Sequence, residues 1–290
     1  MKDYVIITDS TTDLSAELVS KYDLNIIPMR FKTEGREYIN YPDGHDLSNE
    51  EFYKEIRSGK IFTTSQVSPQ EFIDAYTPFL KKGLDILALC FSSGLSGTLN
   101  SLHLAKGELL EKFPERKILV VDTLCASMGE GLLAFYASKF RNEGMNLEEN
   151  HKKLEELKLH IAHWFTVSDI DFLKRGGRLS NASAFLAKAL HINPVLHVDN
   201  NGHLINRFKK IGRKSAIKEI LSQFAENKDS SFKQTIFISH ADCLNDALYL
   251  KEQILKIYDP EEIVIGEIGP VIGSHAGPGT LALFFVSTHR

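Results

Sequence analysis

Short apolar runs alternate with amphipathic segments of helical length along most of this chain, and no other feature narrows its fold so far. A parallel strand buried on both faces must be apolar throughout and needs a crossover to reach its neighbour, so the alternation predicts an α/β protein. The runs of the first half are residues 4–8, 24–29, 85–91 and 117–121. Between them apolar residues recur at helical spacing, as at Leu14 and Leu18, and over residues 99–112 and up to about 142. Ser48 with Glu51, and Ser68 with Glu71, fit reciprocal capping of a first helical turn. Pro69 would take the first helical position, where its missing N–H costs nothing. Residues 61–66, between those two starts, read as an irregular polar link.

After the charged segment 147–158 the rhythm changes. Residues 195–198 and 203–208 are strand-like and are joined by Asp199-Asn-Asn-Gly202, whose residues tolerate positive φ and favour a hairpin. Antiparallel pairing therefore enters. An Ala-rich helix is predicted over 181–190, further helices over 214–226 and 245–257, and strands over 235–239, 263–268 and 280–287. The expectation is two α/β domains, residues 1–160 with a largely parallel sheet and residues 161–290 with a mixed one.

Charge and hydropathy remove several functions. With 34 basic and 38 acidic residues the net charge is −4, which disfavours a phosphate backbone, so no nucleic-acid partner is expected. Apolar runs such as 86–91 and 281–286 are too short to span a bilayer, and the first residues read as a strand rather than a signal peptide. Cys90, Cys125 and Cys243 lie far apart among apolar neighbours, which suits a reducing compartment. A cytoplasmic protein is expected.

Catalytic signatures are missing. The chain has no Walker loop, no Gly-x-Gly-x-x-Gly after a strand, no His-Glu-x-x-His and no Cys-x-x-Cys. Gly94-Leu-Ser96-Gly-Thr98 falls short of a nucleophile elbow because Thr98 stands where the second glycine belongs. The histidines other than His275, including His160, His163, His191 and His197, lack metal-ligand spacing and read as structural; no metal site is expected. Hydroxyls instead gather where strands end, in Asp9-Ser-Thr11, Thr63-Thr-Ser65 and residues 92–98. Ligands of open α/β sheets bind there, although helix capping is the ordinary use of such residues. Residues 92–98 hold four hydroxyls and two glycines, more than one cap requires. Residues 273–279, with three glycines and a proline, would hold the single imidazole of His275 in a defined direction. Residues 207–214 place five basic groups in eight positions, either a solvated sheet edge or a docking patch for an acidic partner.

Taken together, five segments resemble the DegV family of bacterial fatty-acid-binding proteins, acyl carriers for fatty acid kinase. They are Ile7-Thr-Asp-Ser-Thr11, Thr64-Ser-Gln-Val-Ser-Pro69, Ser92-Ser-Gly-Leu-Ser-Gly-Thr98, Phe172-Leu-Lys-Arg-Gly-Gly-Arg-Leu-Ser180 and Ser274-His-Ala-Gly-Pro-Gly279. The resemblance implies two α/β domains, no catalytic residue, and no cofactor beyond a buried long-chain fatty acid. Its carboxylate would be held by Thr64, Ser96 and His275, with Ser65 and Ser93 close by. It further implies a separate ATP-dependent kinase as partner and peripheral membrane contact for lipid exchange. Where the family carries an arginine before a helix of the second domain this chain has Ile211, so Arg213 or Lys210 would take over docking. Val67 replaces the family's proline, with no donor lost. The rival readings are a hydrolase using Ser96 and a phosphotransferase related to dihydroxyacetone kinase.

Overall fold

The structure, a computed structural model, describes residues 3–179 and 192–290, so the helix expected over 181–190 lies outside the described residues. In the first half β1 (Tyr4–Asp9) leads through a single 3-10 turn to α1 (Ala16–Lys21) and β2 (Asn25–Ile27). There follow β3 (Met29–Thr33), β4 (Arg36–Asn40), α2 (Asn49–Arg57), β5 (Thr63–Ser65), α3 (Pro69–Lys81) and β6 (Asp85–Cys90). Then come α4 (Thr98–Lys112), β7 (Ile118–Asp122), α5 (Met128–Asn142) and α6 (Leu147–Leu157). Both reciprocal caps form: Ser48 and Ser68 each bond the third residue of their helix and receive its glutamate in return.

The order β2-β1-β6-β7 makes a wholly parallel sheet, with α3 and α4 on one face and α5 and α6 on the other. A second, antiparallel sheet of order β4-β3-β5 departs from the sequence reading. The run expected over 24–29 divides at Pro28, which has no N–H for a ladder, and β3 begins beyond it. The polar link of residues 61–66 contains β5, which pairs Thr64 with Phe31 and Ser65 with Arg30. This small sheet is held by aromatic packing, with Phe31 fully buried against Tyr38, Phe52 and Phe62.

The second half contributes β8 (Ile161–Thr166), α7 (Asp171–Arg175), β9 (Ile192–Val198), β10 (Leu204–Ile211) and α8 (Arg213–Asn227). It ends with β11 (Thr235–His240), α9 (Leu244–Leu255), β12 (Glu262–Glu267), α10 (Pro270–Ala276) and β13 (Leu281–Val286). Its sheet has the order β10-β9-β8-β13-β11-β12 and is mixed, with β11 and β12 parallel and the other neighbours antiparallel. One face, including Trp164, Ile236 and Phe285, packs against α8 and α9. The opposite face turns toward α5, so Phe165, Phe237 and Phe284 share one core with Ile6, Leu89 and Leu132 of the first half. The first two sheets use only residues before 160 and the third only residues after it, but the apolar interior runs across that position.

Candidate functional site

The loops that leave the carboxyl ends of the parallel sheet converge on an interior cavity. Thr11 follows β1, Phe91, Leu95 and Ser96 follow β6, and Ala126 and Ser127 follow β7; all line it. The mixed sheet supplies the facing wall through His163, Phe165, Val198, Ala282 and Phe284. The antiparallel sheet and α10 close a third side through Met29, Thr64, Val271 and His275. The free space measures about 780 Å³, its opening to solvent included, and most of the lining side chains are apolar.

Thr64 and His275, 211 positions apart, meet here with Thr64 Oγ1 2.8 Å from His275 Nε2. β5 directs Thr64 to the same side as its cross-strand partner Phe31, the side on which α10 packs. His275 stands on the last turn of α10, which starts at Pro270 and stops where Gly277 takes φ +76°. The glycine-rich stretch is therefore a helix end, and it holds the imidazole in a fixed direction. Burial, with the Arg178 charge as a smaller cause, lowers the His275 pKa to about 4, so the imidazole is neutral. Its Nδ1 is buried without a hydrogen-bond partner and faces Gly176, where a Cβ would collide with it. An unpaired lone pair there costs less than an unpaired N–H, which places the proton on Nε2. Nε2–H then donates to Thr64, leaving the threonine hydroxyl proton free to point at a ligand.

Ser96 lines the same cavity. Its hydroxyl lies 2.9 Å from Thr98 Oγ1 and accepts from the Thr98 N–H at 3.2 Å, so it also orders the start of α4. Neither bond reaches an imidazole. Ser65 and Ser93 do not line the cavity. Ser65 follows Thr64 in a strand and so points to the other face, in register with Arg30. Ser93 is exposed and donates to Asp122 Oδ2 at 2.5 Å, drawn to the end of β7. Arg213 and Lys210 stand away from the cavity and each has an acidic partner, Asp246 at 2.8 Å and Glu219 at 2.6 Å.

Sequence reasoning missed Arg178, the one charged side chain among the described residues of the lining. Its Nε donates to the Leu95 carbonyl at 3.0 Å and its Nη1 to the Gly176 carbonyl at 2.6 Å, tying the Gly176-Gly177 turn to the loop that carries Ser96. A lone arginine directly after two glycines was the available signal. His163, read as structural, is neutral and deeply buried, yet it too lines the cavity while accepting from the Ala126 N–H at 3.2 Å. Behind this wall Glu130 accepts from Thr8 and Thr11 at 2.9 and 2.8 Å, and Asp9 accepts from the Thr11 N–H at 2.9 Å. Asp13 accepts from Ser127 Oγ at 2.5 Å and from the Gly269 N–H at 2.9 Å, clipping the starts of α5 and α10 together. Burial raises the pKa of all three carboxyls, that of Asp13 to about 8.

Among the described residues no group of three or more His, Cys, Asp or Glu is arranged to hold a metal ion, and no helix is long and apolar enough to cross a membrane. Fold and site define an α/β protein with an interior, mostly apolar ligand cavity that carries a small polar cluster. The chain belongs to the DegV family, whose model, described as "Uncharacterised protein, DegV family", matches residues 3–288. A DegV domain-containing protein of Clostridium perfringens is 42% identical over 286 residues, covering 99% of this chain and 98% of the relative. A DegV lipid-binding protein from Thermotoga maritima superimposes with a TM-score of 0.88 at 34% identity, covering 100% of both chains. A second Thermotoga maritima protein, reported to reveal fatty acid binding function, gives 0.86 at 33% identity over 99% of this chain and 100% of its own. A fatty-acid-binding DegV family protein from Thermus thermophilus gives 0.87 at 32% identity over 98% and 99%.

Proposed function

We propose that this chain is a carrier that binds a long-chain fatty acid in the cavity and presents its carboxylate to a separate ATP-dependent kinase, which makes the acyl phosphate. The observation that carries the reading is the Thr64–His275 pair, a neutral imidazole and a hydroxyl held at 2.8 Å beside mostly apolar walls. The fatty acids bound by relatives of 32% and 33% identity support it. A sixteen-carbon chain brings roughly fifteen methylene-sized groups, whose full burial at ~0.8 kcal/mol each contributes at most roughly 12 kcal/mol before ordering costs. A carboxylate drawn into the same dry space costs several kcal/mol unless it is hydrogen-bonded, and each charge-assisted bond returns ~1.5–3 kcal/mol. Thr64 and Ser96 are the proposed donors, with His275 orienting Thr64 and Arg178 adding positive charge. Holding a carboxylate needs no nucleophile or base, so activation falls to the partner. Arg213 and Lys210 belong to the proposed docking region, and exchange of cargo proceeds by peripheral contact with a membrane.

Denaturing mass spectrometry of the purified protein tests the reading. A co-purifying acid of fourteen to eighteen carbons is expected. An empty cavity that takes up no added palmitate, or turnover of an ester by the protein alone that is lost in Ser96→Ala, overturns it.

A further inference from the structure

The cavity has one polar end, and the register of two strands locates the opposite one. β13 sets out from beside the polar cluster: Thr280, the residue before it, donates through its hydroxyl to the carbonyl of Ala276, next to His275, at 2.9 Å. Side chains alternate along a strand, and Thr280, Ala282 and Phe284 all line the cavity. Val286, two positions further on, is buried and does not line it. β8 repeats the pattern in the opposite direction. Phe165 pairs with Ala282 and His163 with Phe284, and both line the cavity, whereas Ile161, paired with Val286, is buried outside it. Along these strands the space therefore ends at His163 and Phe284, whose rings meet edge to face at 5.2 Å.

The imidazole offers a ligand no free nitrogen. Its Nδ1–H donates to the Ile161 carbonyl at 2.9 Å, and Nε2 accepts from the Ala126 N–H at 3.2 Å, so ring carbon is what meets the cavity. Bonds to two different segments fix the ring, where a leucine could change rotamer. The space behind it is filled. α5 comes so close that Gly129 leaves no room for a Cβ before Nε2, and Arg290 lies against the ring with Nη2 3.4 Å from Nδ1.

A length follows from the register. Thr280 and Phe284 are four positions apart, ~14 Å at ~3.4 Å per residue of strand. An extended chain advances ~1.2 Å per bond, so that stretch takes about twelve carbons, and those held at the polar cluster bring a straight acid that reaches His163 to about fourteen to sixteen. A longer acid has to bend.

We infer that His163, with Phe284, is the closed end against which the acyl tail stops, and so sets the longest straight acid this chain holds. This rests on the carrier reading above. The test titrates the delipidated full chain with saturated acids of ten to twenty carbons, read by displacement of a fluorescent fatty acid. In the wild type Kd should fall roughly fourfold per added carbon, the worth of one buried methylene, and stop falling at about fourteen to sixteen carbons. His163→Ala should move that break to longer acids, so that the first acid beyond the old limit gains roughly fourfold instead of nothing. Two gentler variants open the same end: His163→Asn keeps a side-chain N–H near the place of Nδ1 and removes the outer ring, and Phe284→Leu shortens the other side chain. Both should lengthen the limit, and Ala282→Leu, which adds bulk nearer the polar cluster, should shorten it. Decanoate, too short to reach His163, should bind the His163 variants as it binds wild type. A break at the same length in wild type and in every variant that keeps a cooperative melt overturns the inference alone. A loss of equal size at all lengths in the His163 variants makes the residue structural and also overturns it. A wild type that takes up no acid of any length overturns the carrier reading and the inference with it.

Discussion

Thr64→Val is the sharpest probe of the site, because valine keeps the shape and strand preference of threonine and removes only the hydroxyl. Two separate effects follow. In the empty protein His275 Nε2, now 2.8 Å from its hydroxyl partner, loses that partner while Nδ1 already has none. A buried polar group left unpaired costs about 1–3 kcal/mol, and the lower part of that range applies because Thr64 is only half-buried. In the complex one charge-assisted bond of ~1.5–3 kcal/mol is lost, which at 1.4 kcal/mol per decade is roughly a 10- to 150-fold rise in Kd. The assay is displacement of a fluorescent fatty acid from delipidated protein by palmitate and, in parallel, by the alcohol of equal length. The variant should lose affinity for the acid and little for the alcohol, since the missing donor serves the carboxylate. Thr64→Ser should restore most of the loss, and Ser93→Ala, whose hydroxyl is bonded to Asp122 outside the cavity, should match wild type. Equal losses for acid and alcohol, or a Kd for palmitate within about twofold of wild type, would refute the reasoning.

Gly176→Ala should displace the imidazole, because the added methyl enters the space of His275 Nδ1; palmitate affinity should fall as far as in Thr64→Val, and combining the two changes should add little, which a double-mutant cycle measures. Asp13→Asn should alter the pH dependence of stability. Its carboxyl titrates at about 8 in the folded chain against 3.8 unfolded, so its stabilising contribution is complete below 3.8 and is lost as pH rises through about 8. Asparagine still accepts from the Gly269 N–H, so Tm at pH 8–9 should rise relative to wild type and the fall of Tm between pH 4 and 8 should flatten, with Asp9 and Glu130 supplying the remaining slope; a wild-type profile in Asp13→Asn would contradict this.

Both large sheets were legible in the sequence because central strands such as β1, β6, β11 and β13 are buried along nearly their whole length and stand out as apolar runs. The antiparallel sheet was not. Met29-Arg-Phe-Lys-Thr33 and Arg36-Glu-Tyr-Ile-Asn40 alternate with charges on the open side, and β5 is three hydroxyl residues long. What makes β5 a strand is its pairing with β3, 31 to 35 positions earlier, and the aromatic cluster around Phe31, neither of which a local pattern contains. The same limit governed the site. Thr64, Ser96 and His275 could be singled out one at a time, but strand alternation, applied to Thr64 and Ser65, was the only local rule able to choose between neighbours. Ser93 could not be told from Ser96, because the pull of Asp122 on Ser93 appears only when the parallel strands are side by side. Arg178 lay inside the segment Phe172–Ser180 without being singled out, because only the folded chain shows that Gly176 leaves clearance for the His275 ring of another element.

The division of the polar cluster among three sheets has a genetic consequence. A chain cut near residue 160 would leave Thr64 and Ser96 on one piece and Arg178 and His275 on the other, each piece with its part of the cavity wall turned to water. On the carrier reading neither piece alone would hold a complete site, so the whole chain would have to move between proteins together. A lipid lying between the pieces would act as mortar: separated halves should recover one another far better in the presence of cargo than without it.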